Sequence, residues 1–137
     1  MTGRKPRQVS RFANITITFD CERQFEALLD YNWTAEAITN VLDNAVKYTP
    51  SGGIVGLEIT EYPSYLRLDI SDNGIGIPEE EQAKIFGRFY RGKQSAGIDG
   101  VGIGLYLTRD IINKQKGYIK VASDENGSIF SLFLKKD

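Results

Sequence analysis

The sequence predicts an α+β fold, a two-layer sandwich. A mixed, mostly antiparallel sheet of five or six strands is covered on one face by about three helices. Three observations lead there. Short segments around residues 15–19, 54–60, 65–71, 118–123 and 128–134 alternate apolar and polar positions or run apolar, as strands do. Two stretches, 34–48 and 104–115, instead repeat their apolar residues with helical period. A chain of 137 residues that is 41% hydrophobic can close one core but not two of ordinary size.

The first segment, 1–13, carries Arg4, Lys5, Arg7 and Arg11 but leads into no apolar h-region. It reads as a linker or boundary and not as a secretory signal, which leaves 14–137 as the domain. Ile15 to Phe19 is a half-buried strand, and Phe25 to Leu29 is its expected antiparallel partner across an Asp20 to Arg23 turn. Thr34 is placed to cap a helix that runs to about Tyr48, with Trp33 stapled against Ile38. Ile38, Val41, Leu42, Ala45 and Val46 share one face of that helix, and Glu36, Asn40, Asp43, Asn44 and Lys47 the other. Thr49 to Gly53 is turn chemistry, followed by strands at Ile54–Thr60 and Tyr65–Ser71.

Pro78 ahead of Glu79, Glu80 and Glu81 starts a short helix ending near Phe86, because carboxylates favour the positive helix end. Residues 87–103, with Gly87, Gly92, Gly97, Gly100 and Gly102, read as a long functional or disordered loop. A last helix spans about Gly104 to Gln115, with Leu105, Leu107, Thr108, Ile111 and Ile112 inward. Tyr118–Ser123 and Ser128–Leu134 form a closing hairpin around Asn126-Gly127.

Seventeen basic and 18 acidic residues give a net charge of -1, so the domain as a whole has no electrostatic reason to bind nucleic acid or anionic membrane. Any phosphate binding must be local. The longest apolar runs fall far short of the roughly 20 residues that cross a bilayer. A single cysteine, Cys21, excludes an internal disulfide and fits a reducing cytoplasm. There is no histidine, which removes the commonest catalytic base and metal ligand.

Four constellations carry candidate chemistry. Glu36, Asn40, Asn44 and Lys47 line one helix face: an amide oxygen can ligate Mg²⁺ and an ammonium can neutralise a phosphate, although a solvated face has the same look. Asp72 shares strand parity with Leu66, Leu68 and Ile70, so its carboxylate should point to the covered side, where it needs a partner. An adenine amine would be one, with Gly74 and Gly76 letting the backbone pass a flat base; a plain turn in which Asp72 binds glycine amides is the other reading. Gly100-Val101-Gly102-Ile103-Gly104-Leu105 opens a helix, where main-chain N–H groups can meet phosphate oxygens. It is neither a dinucleotide fingerprint nor a Gly-Lys-Ser/Thr phosphate loop. Ile85-Phe86-Gly87-Arg88-Phe89-Tyr90-Arg91 interleaves apolar anchors with guanidinium groups that can grip a terminal phosphate.

In this order the four resemble the boxes of the histidine-kinase branch of the gyrase and heat-shock chaperone ATPase fold family. Asn40 to Tyr48 is similar to its N box, Asp72 to Pro78 to its first glycine box, Phe86 to Arg91 to its phenylalanine box, and Gly100 to Leu105 to its second glycine box. The resemblance spans roughly residues 15–134. It implies that Asp72 accepts the adenine amine, that Tyr48 lies against the base, and that Gly74, Ile75, Gly76 and Ile77 close its edge. It implies Asn44 as the Mg²⁺ ligand with Asn40 beside the metal, and Lys47 and Arg91 on phosphate oxygens. Residues 87–103, with Phe89 at the base, become a lid that orders over ATP, Gly102 and Gly104 supporting the triphosphate together with Gly100, Val101, Ile103 and Leu105.

Gyrase-type relatives carry a glutamate at the position of Asn40 that activates water, and an amide cannot act as that base. The implied reaction is therefore transfer of the γ-phosphoryl group of Mg-ATP to a histidine on a separate dimerisation domain, in two-component signalling with a downstream response regulator. The resemblance further implies a monomeric cytoplasmic fragment of a homodimeric parent anchored in the bacterial membrane. Lys114-Gln115-Lys116-Gly117 departs from the His-Gly-Gly frequent in the family, and Val101 and Ile103 replace its usual Thr and Leu. Two rivals share the fold: a serine kinase of the anti-sigma-factor type, whose sequences usually lack the Lys47-Tyr48 pair and the aromatic segment, and a nucleotide-sensing module without transfer.

Overall fold

The computed structural model describes residues 8–12, 15–20, 30–87 and 104–136. Six strands form one sheet: β1 (Gln8–Phe12), β2 (Ile15–Asp20), β3 (Ile54–Glu61), β4 (Tyr65–Asp72), β5 (Tyr118–Asp124) and β6 (Gly127–Lys135). Their spatial order is β1-β2-β3-β4-β6-β5. All neighbours are antiparallel except β2 and β3, which are joined through the helix α1 (Tyr31–Lys47). The predicted mixed sandwich is thus the observed one. Helices α2 (Glu79–Gln82) and α3 (Gly104–Lys114) complete the described elements.

The opening hairpin has a different partner from the predicted one. β2 pairs antiparallel with β1 on one side and parallel with β3 on the other. Both its edges are taken; the expected partner, Phe25 to Leu29, lies outside the described residues. Part of the expected linker is therefore a strand. Gln8, Ser10 and Arg11 hide it from pattern reading, because they leave neither an apolar run nor a strict alternation.

Helix α1 begins three residues before the predicted cap. Asp30 is the N-cap, its Oδ1 accepting from the Trp33 N–H at 2.9 Å. Thr34 is instead a buried residue of the helix, and its hydroxyl accepts from Gln115 Nε2 at 3.1 Å. Trp33, 56% exposed, is no staple. The helix ends as predicted, with Tyr48 at the C-cap. α2 is shorter than expected, one turn capped at Pro78, after which single turns carry Ile85 and Phe86 into the core. The last hairpin turns on Glu125-Asn126, one residue early, because Asp124 and Gly127 are already paired.

The sheet's covered face is a ladder of inward pairs. Leu66, Leu68 and Ile70 of β4 stand opposite Leu134, Leu132 and Phe130 of β6, with Leu57 and Ile59 of β3 and Ile119 and Val121 of β5 beside them. Onto it pack Ala37, Val41 and Ala45 of α1 and Ile111 and Ile112 of α3. The two helices run antiparallel: Thr108 Oγ1 donates to the Ala37 carbonyl at 3.4 Å, while Gln115 reaches Asp30 and Thr34 at the start of α1. The first turn of α3 therefore opens toward the C-terminal half of α1.

Candidate functional site

Asp72 is the next inward rung after Ile70 and Phe130, flanked by Val55 on β3 and Ser128 on β6. A carboxylate stands where the ladder would otherwise continue apolar. Its Oδ1 accepts from the Gly74 N–H at 2.9 Å. Burial pushes its pKa above the ordinary 3.8, and the backbone N–H groups of Gly74 and Ser128 pull the other way. The turn reading is present, since Asp72 binds a glycine amide; the carboxylate is also half-buried and keeps lone pairs for a further donor.

The turn after Asp72 lies against the end of α1. A Cβ on Gly74 would run into the Tyr48 carbonyl, so this backbone pair approaches as closely as only glycine permits. Gly76 has φ 77°, and a Cβ there would strike the Asp124 carbonyl. Ile77 follows, its N–H donating to Ser123 Oγ at 2.7 Å. Asn73 closes the same corner from the other side: its Oδ1 accepts from the Ile54 N–H at 2.8 Å and its own N–H donates to the Ile54 carbonyl at 3.3 Å.

Along α1, Asn40 and Asn44 are half-buried while Glu36, Asp43 and Lys47 are exposed. Asn40 Nδ2 is buried and has no hydrogen-bond partner among the described residues, an orphan that a bound polar group would satisfy. Tyr48 is half-buried beside the Gly74 turn. The N box and the first glycine box, 24 or more residues apart in sequence, are therefore one continuous wall. Gly104 and Leu105 belong to the first turn of α3. Phe89, Arg91, Gly100, Val101, Gly102 and Ile103 lie outside the described residues.

The wall suits a nucleotide. Asp72 offers acceptor capacity beside the Gly74 turn, the Lys47 ammonium stands next to Tyr48, and the amides of Asn44 and Asn40 follow one and two turns back along α1. For a metal, no group of three or more His, Cys, Asp or Glu gathers among the described residues. The donor set available is amide oxygen, which fits Mg²⁺ held mainly by nucleotide phosphates and water.

Sequence reading missed the residues that hold the site from behind: Asn73, Gln82, Ser123 and Ser128. Their only sequence signal is polarity, since each makes a bond to a segment distant along the chain: Asn73 with Ile54, Gln82 with Ser123, Ser123 with Ile77 and Ser128 with Asp72.

Residues 29–137 match the family described as histidine kinase-, DNA gyrase B- and HSP90-like ATPase. The sensor histidine kinase Hik2 of Synechocystis sp. is 40% identical over 115 residues, 73% of this chain and 26% of Hik2. The adaptive-response sensory kinase SasA of Rippkaea orientalis is 37% identical over 131 residues, 93% of this chain and 34% of SasA. The chain thus spans well under half the length of these curated relatives. Among solved structures, the mycobacterial sensor histidine kinase MprB has a TM-score of 0.74 at 29% identity, covering 89% of this chain and 81% of that one. The catalytic domain of histidine kinase ThkA has a TM-score of 0.71 at 28% identity, covering 80% and 71%. The chain accordingly belongs to the histidine kinase-, DNA gyrase B- and HSP90-like ATPase family and is one of its histidine-kinase catalytic domains.

Proposed function

We propose that this chain binds Mg-ATP along the wall formed by α1, the Gly74–Ile77 turn and the start of α3, and presents the γ-phosphate to a histidine of another domain. The observation that carries it is Asp72, a half-buried carboxylate at the end of an apolar ladder, beside backbone that only glycine can form. Asp72 accepts the adenine amine, Tyr48 covers one side of the base, and the backbone of Gly74, Gly76 and Ile77 bounds its edge. Asn44 supplies an amide oxygen to Mg²⁺, with Asn40 beside it; the metal supplies charge neutralisation between the phosphates.

Lys47 and Arg91 neutralise phosphate oxygens, and the segment through Phe89 and Gly100, Val101, Gly102, Ile103, Gly104 and Leu105 brackets the triphosphate. Asn40 has no basic lone pair with which to deprotonate water, so these residues position and hold charge without activating a hydrolytic nucleophile. In the transfer, a histidine ring nitrogen supplied from outside bonds to the γ-phosphorus as its bond to the β–γ bridging oxygen breaks, releasing ADP. That histidine belongs to a dimerisation domain of a longer, membrane-anchored parent. ThkA is found in complex with the response regulator protein TrrA, which supports a regulator as the parent's downstream partner.

Calorimetry on this chain tests the site. ATP and ADP should bind in the micromolar range or weaker with Mg²⁺, since ordering of the surrounding segments offsets part of the gain. Asn44→Ala should lose affinity in Mg²⁺ but little in EDTA. No heat at millimolar nucleotide sinks the proposal, and an equal loss in both conditions removes Asn44 from the metal.

A further inference from the structure

The Gly74–Ile77 turn is held from behind by two side chains that no motif contains. Ile77 donates its N–H to Ser123 Oγ at 2.7 Å, and its carbonyl accepts from Gln82 Nε2 at 2.9 Å. Both polar groups of one peptide-flanked residue are thus fixed by side chains, one from β5 and one from α2. The second hydrogen of Gln82 Nε2 reaches the Ser123 carbonyl at 3.2 Å, which ties the two supports together.

Ser123 Oγ also lies 3.0 Å from the Gly127 carbonyl and 2.8 Å from Ser128 Oγ. A hydroxyl has one hydrogen and two acceptor sites. One assignment satisfies all three contacts: it donates to Gly127 and accepts from Ile77 and from the Ser128 hydroxyl. Ser123 is the cross-strand partner of Ser128, and Ser128 that of Asp72. The same oxygen therefore joins the exit of the glycine turn to the rung that carries the carboxylate.

We propose that Ser123 is a positioning residue of the nucleotide site. Its hydroxyl, backed by the Gln82 amide, sets the Gly74–Ile77 turn relative to Asp72 and so sets how selectively the site grips adenine. The inference rests on the adenine reading of Asp72 given above. Without the hydroxyl, the Ile77 N–H loses its acceptor and Gly127 its donor, and the turn is free to move away from the Asp72 rung. The phosphate end, built on α1 and α3, is untouched.

The test measures dissociation constants of ATP, ADP and GTP, with melting temperatures, for the parent chain, Ser123→Ala, Ser123→Thr, Gln82→Ala and a core control, Ile112→Val. Ser123→Ala should weaken ATP and ADP alike by about tenfold, the worth of one part-buried hydrogen bond, and leave GTP less changed, so the preference for adenine shrinks. Ser123→Thr, which keeps the oxygen, should restore it. Gln82→Ala should shift the preference the same way by a smaller factor, and it carries the test if Ser123→Ala does not fold. Ile112→Val should lower the melting temperature without altering the preference.

A folded Ser123→Ala with the parent's affinities overturns the inference, as does a matching loss of preference in Ile112→Val. A parent that binds no adenine nucleotide overturns the site reading and this inference together, whereas a binding parent with an indifferent Ser123→Ala overturns the inference alone.

Discussion

Asp72 occupies a rung of the inner ladder at which folding and binding ask for different side chains. Its folded pKa lies above 3.8 because burial disfavours the charge. A raised carboxyl pKa means that the native state binds the proton more tightly than the unfolded chain. The contribution to stability is therefore full below pH 3.8 and is lost as the pH rises through the folded pKa. Above that window the ionised group opposes folding while serving as acceptor. Asp72→Asn removes the charge but puts an NH₂ where a base amine needs an oxygen. At neutral pH it should match or exceed the parent in melting temperature and bind ATP about tenfold or more weakly. The parent's stability relative to the variant should rise as the pH is lowered toward 3.8. A variant that melts below the parent by a constant margin at every pH, or binds ATP equally well, contradicts this. Asp72 was legible in the sequence because strand parity fixes where a residue points. Ser123 and Ser128 were not, because their roles depend on a hairpin brought across from some 50 residues away.

At the scale of elements, apolar faces were legible and helix ends less so. Asp30 and Thr34 are both good capping residues, and only the burial of Thr34 against Gln115 decides between them. The departure from the family's His-Gly-Gly falls on the same end of the helix pair, where α3 closes. Gln115 there serves as a clamp, its side chain bonding the Asp30 N–H, at 2.6 Å, and Thr34 at the start of α1. Lys116 closes α3 in the left-handed region, φ 66°, with its N–H on the Asn113 carbonyl and that of Gly117 on the Ile112 carbonyl. A lysine at this position costs about 1 kcal/mol relative to glycine, which adopts the conformation without steric penalty. Lys116→Gly should accordingly raise the melting temperature by roughly 3 °C, as expected for about 1 kcal/mol in a domain of this size. Nucleotide affinity should stay unchanged, since the cap lies at the far end of α3 from its first turn. A lower melting temperature would mean that the lysine side chain contributes more than its backbone strain removes.

The whole molecule brings the N box and the first glycine box together through a sheet whose order, β1-β2-β3-β4-β6-β5, no local pattern specifies. The boxes could be named in order because each carries its own residue chemistry. Their contact could not be read, since the Gly74 turn meets Tyr48 only after β3 and β4 have paired. What the assembled site lacks is an acceptor: the chain has no histidine. Incubated alone with labelled ATP, it should form no phosphohistidine. Added to a separately folded dimerisation domain of its parent, it should label that domain, with Lys47, Arg91 and the metal at Asn44 holding the phosphate charge. If the Arg91 guanidinium acts on the terminal phosphate that ADP lacks, Arg91→Ala should slow transfer by about a hundredfold, the scale of losing one charge-stabilising donor, while ADP affinity changes far less. General unfolding would abolish both, so the comparison carries its own control. A folded dimerisation domain that stays unlabelled at high concentrations of both pieces rules out transfer and leaves nucleotide sensing as the activity of this fold.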